Sequence, residues 1–144
     1  MKRTQLLVLC PYPTNHVPAQ RFRIEQWEGV LAERGIDCTY LPSADPALMR
    51  VLFRRGHTLE KTIGVVRGWL GQFRRVQRLP RPDAVLVCRA ASLAGPPVIE
   101  RSLARKGVPL IFDFDDAIFL LNSTRANRWF SWLKFPAKTE TLCK

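Results

Sequence analysis

Histidine, acidic residues and long apolar runs are all scarce in this chain, and each shortage closes a class of function. Only two histidines occur, His16 and His57, too few and too far apart for a metal pair. The four cysteines (Cys10, Cys38, Cys88 and Cys143) include no Cys-x-x-Cys spacing, so no metal site is expected. Three of them sit in apolar, strand-like runs and read as buried free thiols, which suits a reducing compartment. No stretch approaches the ~20 apolar residues of a membrane-spanning helix. The start, Met1-Lys2-Arg3 followed by Leu6–Leu9, imitates an export signal, but Pro11 and Pro13 close the run too early. Bulky Leu9 also argues against lipid attachment at Cys10. A cytoplasmic location is therefore expected. No Gly-x-Gly-x-x-Gly fingerprint is present, which disfavours NAD or FAD, and no resident cofactor is expected. Helix-turn-helix spacing and aromatic-basic RNA signatures are missing too, so nucleic acid is not the expected partner.

What remains is a globular composition with a strong charge bias. The 144 residues are 47% hydrophobic and include four Trp. That is enough to build one core, and the length suits one domain, residues 1–144. The 23 Lys+Arg against 12 Asp+Glu leave a formal net charge of +11. Such a balance calls for an anionic partner: an anionic membrane surface, a phosphorylated substrate or a nucleic acid.

Short apolar runs alternate with helical patterns. Gln5–Cys10 reads as a strand buried on both faces. A proline-rich loop, Pro11–Ala19, leads to a helix from about Arg21 to Arg34, with Ile24, Trp27, Val30 and Leu31 at helical spacing and Gly35 as its stop. Ile36–Leu41 is a second strand. A basic helical block, about residues 46–79 and divided at Gly56, is inserted before the third strand, Ala84–Cys88. Pro96 and Pro97 open a helix to about Lys106, and Gly107 ends it. Pro109–Phe114 is a fourth strand, and Phe119–Phe135 reads as a further turn or helix. This order predicts an α/β domain of three layers with a mostly parallel sheet and right-handed crossovers.

In such a sheet, ligands bind beyond the carboxyl ends of the strands. Two segments there carry chemistry. In the first, Arg21 and Arg23 are placed at or near a helix N-terminus, where the macrodipole favours anions. A phosphate or pyrophosphate would offset that cost and accept bidentate bonds. The other reading starts the helix later and leaves both arginines solvated. Tyr12, Asn15 and His16 share the same loop and join the candidates, although each suits a turn by default. In the second segment, Asp113, Asp115 and Asp116 crowd three carboxylates into four residues. Close burial would raise at least one pKa, as cation binding or proton chemistry requires. Alternatively, Asp115 caps a following helix. The inserted block carries an apolar stripe (Ile63, Val66, Trp69, Leu70, Phe73, Val76) accompanied by Arg67, Arg74, Arg75 and Arg78. That pattern fits either a surface helix or one lying on an anionic membrane.

These motifs resemble a known family. Leu7-Val-Leu-Cys-Pro-Tyr-Pro, Pro18-Ala-Gln-Arg-Phe-Arg-Ile-Glu-Gln-Trp27 and Leu31-Ala-Glu-Arg-Gly35 look like the opening of family 4 glycosyltransferases. Gly107-Val-Pro-Leu-Ile-Phe-Asp-Phe-Asp-Asp-Ala-Ile-Phe119 is similar to the strand that ends in Thr-x-His-Asp in many members. On that register Asp113 takes the Thr place, Asp115 the His place and Asp116 the Asp place. The resemblance implies the N-terminal, acceptor-side Rossmann-like half of a GT-B fold. The C-terminal donor domain would lie outside this chain, which is then a fragment, inactive alone. It also implies a metal-independent transfer from a nucleotide-sugar donor to a glycan or lipid-linked acceptor, in envelope polysaccharide or glycoconjugate synthesis. Asp115 and Asp116 become the catalytic pair. Arg21, Arg23, Tyr12, Asn15, His16 and Asp113 become acceptor or diphosphate ligands. Docking on the inner face of the plasma membrane is implied through Arg67, Trp69, Arg74 and Arg75. Leu110–Asp116 also looks like the opening of haloacid-dehalogenase-type, magnesium-dependent phosphatases, with Asp113 as nucleophile and Asp115 as general acid. There, however, Asp116 and Ala117 stand in the Gly and Thr places. A non-catalytic basic domain binding anionic membrane or a phosphorylated ligand is the third expectation.

Overall fold

A computed structural model describes residues 2–93 and 95–113. In chain order the elements are β1 (Thr4–Cys10), α1 (Pro18–Arg23), a 3-10 turn (Glu25–Trp27), α2 (Glu28–Glu33), β2 (Ile36–Pro42), α3 (Pro46–Leu52), α4 (Thr58–Arg78), β3 (Ala84–Cys88), α5 (Val98–Arg105) and β4 (Leu110–Asp113). The four strands form one sheet in the order β2-β1-β3-β4. Every pairing is parallel. The expected α/β, mostly parallel architecture is therefore what the chain adopts. Asp115, Asp116 and the apolar segment Phe119–Phe135 lie outside the described residues.

β1 explains why the sheet is covered on both faces. Its side chains alternate, so Leu7 and Leu9 enter one cluster while Val8 and Cys10 enter another. Leu7 and Leu9 meet Val76 of α4 and Ile99 and Leu103 of α5, with Val85 and Val87 beside them. On the opposite face, Val8, Cys10 and Cys88 meet Ile24, with Leu31 packed alongside. Full burial of each such aliphatic side chain contributes about 1.5–3 kcal/mol. An uninterrupted apolar run is thus the only kind of strand that can occupy this central place.

The helix expected from Arg21 to Arg34 is three pieces instead. It begins at Pro18, because proline at the first helical position has no N–H to satisfy and its φ is already helical. It breaks at Ile24, whose φ of −137° is not helical. That break drops Ile24 into the core beside Val8 and Cys10. As a result Trp27 and Val30, expected on the inward stripe, stay 50% and 38% exposed.

The inserted block divides where expected. Gly56 and His57, both at positive φ, separate α3 from α4. Asp45 caps α3 by accepting from Leu48 N–H at 2.7 Å. Two glycines let α4 approach closely. A Cβ on Gly64 would meet Leu48 Cδ1 at 2.9 Å, and one on Gly68 would stand 2.0 Å from the Ser43 carbonyl oxygen. Among the described residues, no helix is long and apolar enough to cross a membrane.

Candidate functional site

The strand order reverses between β1 and β3. From β1 the chain moves outward to β2, then returns across β1 to β3 and β4. The loops leaving β1 and β3 feed helices on opposite faces, so they diverge and leave a crevice at the carboxyl ends. A small, open cleft lies there, lined by Pro11, Tyr12, Val17, Ala19, Gln20, Arg23, Cys88 and Arg89.

A buried glutamine builds one wall. Gln20, only 4% exposed, donates from Nε2 to the Tyr12 carbonyl at 2.9 Å and to Glu25 Oε1 at 2.7 Å. Its Oε1 accepts from Tyr12 N–H at 3.3 Å. Glu25 Oε2 in turn accepts from the Asn15 N–H at 2.8 Å. The proline-rich loop is therefore fastened to α1 and the 3-10 turn rather than left to wander. Asn15 sits at φ 63°, a left-handed value that Asn tolerates better than most residues.

Arg89 builds the opposite wall. It also holds a left-handed backbone, φ 61°, and Ala90 N–H bonds the Cys88 carbonyl across it at 2.7 Å. This three-residue turn is strained for a long side chain and costs on the order of 1 kcal/mol. It persists because Arg89 N–H is also tied to the Asp113 carbonyl of β4, at 2.9 Å. Its positive charge acts on Tyr12. Burial pushes the Tyr12 phenol up, and the Arg89 guanidinium pulls it partly back.

Arg23 and Asp113 join the two segments singled out in the sequence. Arg23 donates from Nε and Nη2 to the two Asp113 carboxylate oxygens. Both side chains are about 30% exposed, at 30% and 29%. The residues after β1 and the end of β4 thus share one rim of the sheet. The two arginines do not stand at the helix N-terminus expected for them, however. Arg21 and Arg23 lie in the last turn of α1, where the macrodipole favours cations and no anion is needed. Arg23 already faces a carboxylate. Arg21 is exposed and lies over its neighbour Phe22, 5.5 Å from the ring centroid.

The other candidates separate. Tyr12 and Arg23 line the cleft; Asn15 and His16 do not. His16 is exposed and donates from Nδ1 to the Thr14 carbonyl at 2.8 Å. His57 is exposed and faces Glu60 at 3.2 Å. Trp69 is not on the outer surface as a membrane contact needs. It packs against the main core, stacked on Phe73 at 6.2 Å. Arg67 pairs with Asp45, Arg75 donates to the Pro42 carbonyl at 2.8 Å, and Arg74 is exposed. Cys10 is unsuited to nucleophilic work, since burial, followed by the neighbouring Cys88, pushes its thiol up to about 12.

Sequence reasoning passed over Arg89, Gln20 and Glu25. Arg89 had a usable signal, being the first residue beyond a largely buried apolar strand and hence on the ligand-binding rim. The roles of Gln20 and Glu25 emerge only when the loop folds back onto them. Comparison with protein-family models, curated proteins and solved structures gives no match to this chain. The chemistry available is a cation and a phenol at a cleft mouth, held by buried amide bonds. Such a set can bind a phosphate or a sugar hydroxyl.

Proposed function

We propose that this chain is the acceptor-side domain of a glycosyltransferase that moves a sugar from a nucleotide-sugar donor to a glycan or lipid-linked acceptor. The observation that carries the reading is the cleft where the strand order reverses. The loop after β1 and the end of β4, the two motif-bearing segments, meet there through Arg23 and Asp113. Arg89 and Tyr12 are the ligand-binding groups in this reading. Arg89 offers a guanidinium to a diphosphate, and Tyr12 offers a hydroxyl to a sugar. Arg23 and Asp113 are positioning residues that hold the loop against the sheet. Asp115 and Asp116 take the proton chemistry and remain assigned by resemblance alone. The phosphatase alternative fares less well, because it asks Asp113 to be a free nucleophile while Arg23 engages both of its oxygens.

The test is direct. Radiolabelled nucleotide sugars are offered, with extracted glycolipid and glycan acceptors, to the chain and to any longer product containing it. Arg89→Ala should weaken nucleotide-sugar binding at least about tenfold, the worth of one charge-assisted bond. Asp115→Asn should lower turnover far more than melting temperature. Magnesium-dependent phosphate release that vanishes in Asp113→Asn, with no sugar transfer from any donor, would overturn the proposal.

A further inference from the structure

Two exposed apolar faces lie on opposite sides of the sheet, and they carry opposite charge. On the α4 side, Leu59, Ile63 and Val66 follow one another at i, i+4 and i+7 and are 72%, 55% and 47% exposed. Phe53, between α3 and α4, adds a side chain that is 67% exposed. On the other side, Phe22, Trp27 and Val30 of α1, the 3-10 turn and α2 are exposed as well. Strand β1 separates the two sides, since α4 packs on Leu7 and Leu9 whereas Ile24 and Leu31 pack on Val8 and Cys10. We infer that the α4 face of one chain docks, head to tail, on the α1–α2 face of a second copy.

Charge identifies the occupant. Within residues 53–78 Glu60 is the one acid, while Arg54, Arg55, Arg74 and Arg78 are exposed. Residues 25–33 hold Glu25, Glu28 and Glu33 and no lysine or arginine. Glu25 is engaged by Gln20 and the Asn15 N–H, and Glu28 and Glu33 are exposed to a partner. Arg21, over the Phe22 ring, and Arg34 stand at the two ends of this segment. Two α4 faces would set arginine against arginine, and two α1–α2 faces glutamate against glutamate. Unlike faces match in both respects, apolar on apolar and arginine on glutamate. A bilayer or a nucleic acid would meet the arginines of α4 but leave the acidic apolar face in water. A second copy covers both faces with one repeated contact.

Trp27 is set in place for such a contact. Its Nε1 donates to the Phe22 carbonyl at 3.2 Å, and Gln26 Nε2 donates to the same oxygen at 2.7 Å. The indole therefore holds one orientation before a partner arrives, which lowers the ordering cost of binding. The contact is heterologous, so each copy gives one face and receives on the other, and copies add in an open row or close into a ring. Phe53 lies against Tyr12, with ring centroids 6.3 Å apart, so a docked copy abuts the Tyr12 wall of the cleft. This inference is independent of the sugar-transfer reading and survives if that reading fails.

Sedimentation velocity at rising concentration tests it, in salt of about 0.15 M so that repulsion between chains of net charge +11 is screened beyond about 8 Å. The parent should grow past a dimer, with a Kd on the order of 10 μM for so small a contact. Ile63→Ser/Val66→Ser and Phe22→Ser/Val30→Ser should each stay monomeric to at least about tenfold higher concentration. Both should keep their circular dichroism and melting temperature, since all four side chains are exposed. Mixed in equal amounts, the two variants should give a one-to-one heterodimer and nothing larger, because one intact α4 face meets one intact α1–α2 face. Glu28→Arg/Glu33→Arg should weaken growth about tenfold. A monomer at every concentration, a dimer dissolved by only one of the two serine variants, a mixture that stays monomeric, or indifference to the glutamate variant would overturn the inference. So would a monomer that binds phosphatidylglycerol vesicles through Ile63 and Val66, because a bilayer would then be the occupant.

Discussion

The two ends of the sheet are built from the same kinds of residue and behave differently. At the amino edge, Arg3 meets Asp37 through Nε at 2.8 Å and reaches the Ala32 carbonyl at 2.9 Å. Gln5 N–H is bonded to Asp83 Oδ2 at 2.8 Å, and Arg81 bonds the Gly107 carbonyl at 2.8 Å. These contacts are exposed, although each joins segments distant in the sequence. At the carboxyl rim, the corresponding arginine–carboxylate pair, Arg23–Asp113, is part-buried beside a fully buried glutamine and two left-handed, non-glycine residues. An exposed pair is screened and adds little, whereas part-buried polar groups cost free energy unless each is satisfied. Polar order is cheap at one end and expensive at the other, and the expensive end is where a ligand site belongs.

That contrast can be broken most forcefully at Gly68. Gly68→Ala forces a Cβ onto the Ser43 carbonyl beyond β2, and should cost about 3 kcal/mol by thermal or urea unfolding. Gly107→Ala at the amino edge meets strain from its φ of 67° and the movable end of the Arg81 side chain at 3.3 Å, and should cost about 1 kcal/mol. Equal losses would mean the rim is no more tightly built than the edge. Next comes Gln20→Ala, which strips the Tyr12 carbonyl and Glu25 of their donor. We expect a loss of about 2 kcal/mol, with faster hydrogen exchange at the Tyr12 and Asn15 amides. Unchanged exchange there would show that the loop does not depend on its fastening.

The smallest effect is expected from acid. Burial pushes Asp45 up, but the Leu48 N–H and Arg67 outweigh it, so its pKa lies below the usual carboxylate range. A depressed native value stabilises the fold above the unfolded pKa, and that contribution is lost as pH falls through the native one. Asp45→Ala should therefore be less stable than the parent near neutrality, by about 1 kcal/mol for a lost cap, and equal to it in strong acid. High salt should leave most of this difference, because a backbone N–H is not screened as an exposed ion pair is. A gap persisting at low pH would assign the loss to something other than the carboxylate.

Strands were the most legible part of the molecule. Each strand appears within a residue or two of its expected bounds; for the central β1 the reason is that only continuous apolarity suits burial on both faces, whereas the edge strands β2 and β4 stay half-exposed. The helix after β1 was misread at both its start and its middle. Spacing alone could not show that Ile24 leaves the helix to reach Cys10, or that Trp27 stays outside. Arg21 and Arg23 therefore moved from a helix start to a helix end, and the anion argument went with them. Trp69 and Ile63 carry the same apolar signature, yet Trp69 packs against the core and Ile63 stays exposed, since a broad apolar stripe does not declare which part of it meets the core.

The sequence alone determined the class of the fold, the alternation of strand and helix, the basic block and the two chemical segments, because all of these follow from local pattern and charge. Only the tertiary structure decided that β3 lies beside β1, that Arg23 answers Asp113 across ninety residues of chain, and that Arg89 faces Tyr12 over a cleft. Those pairings depend on long-range closure of the sheet, where burial of every partner is weighed at once and no short window of residues carries the result.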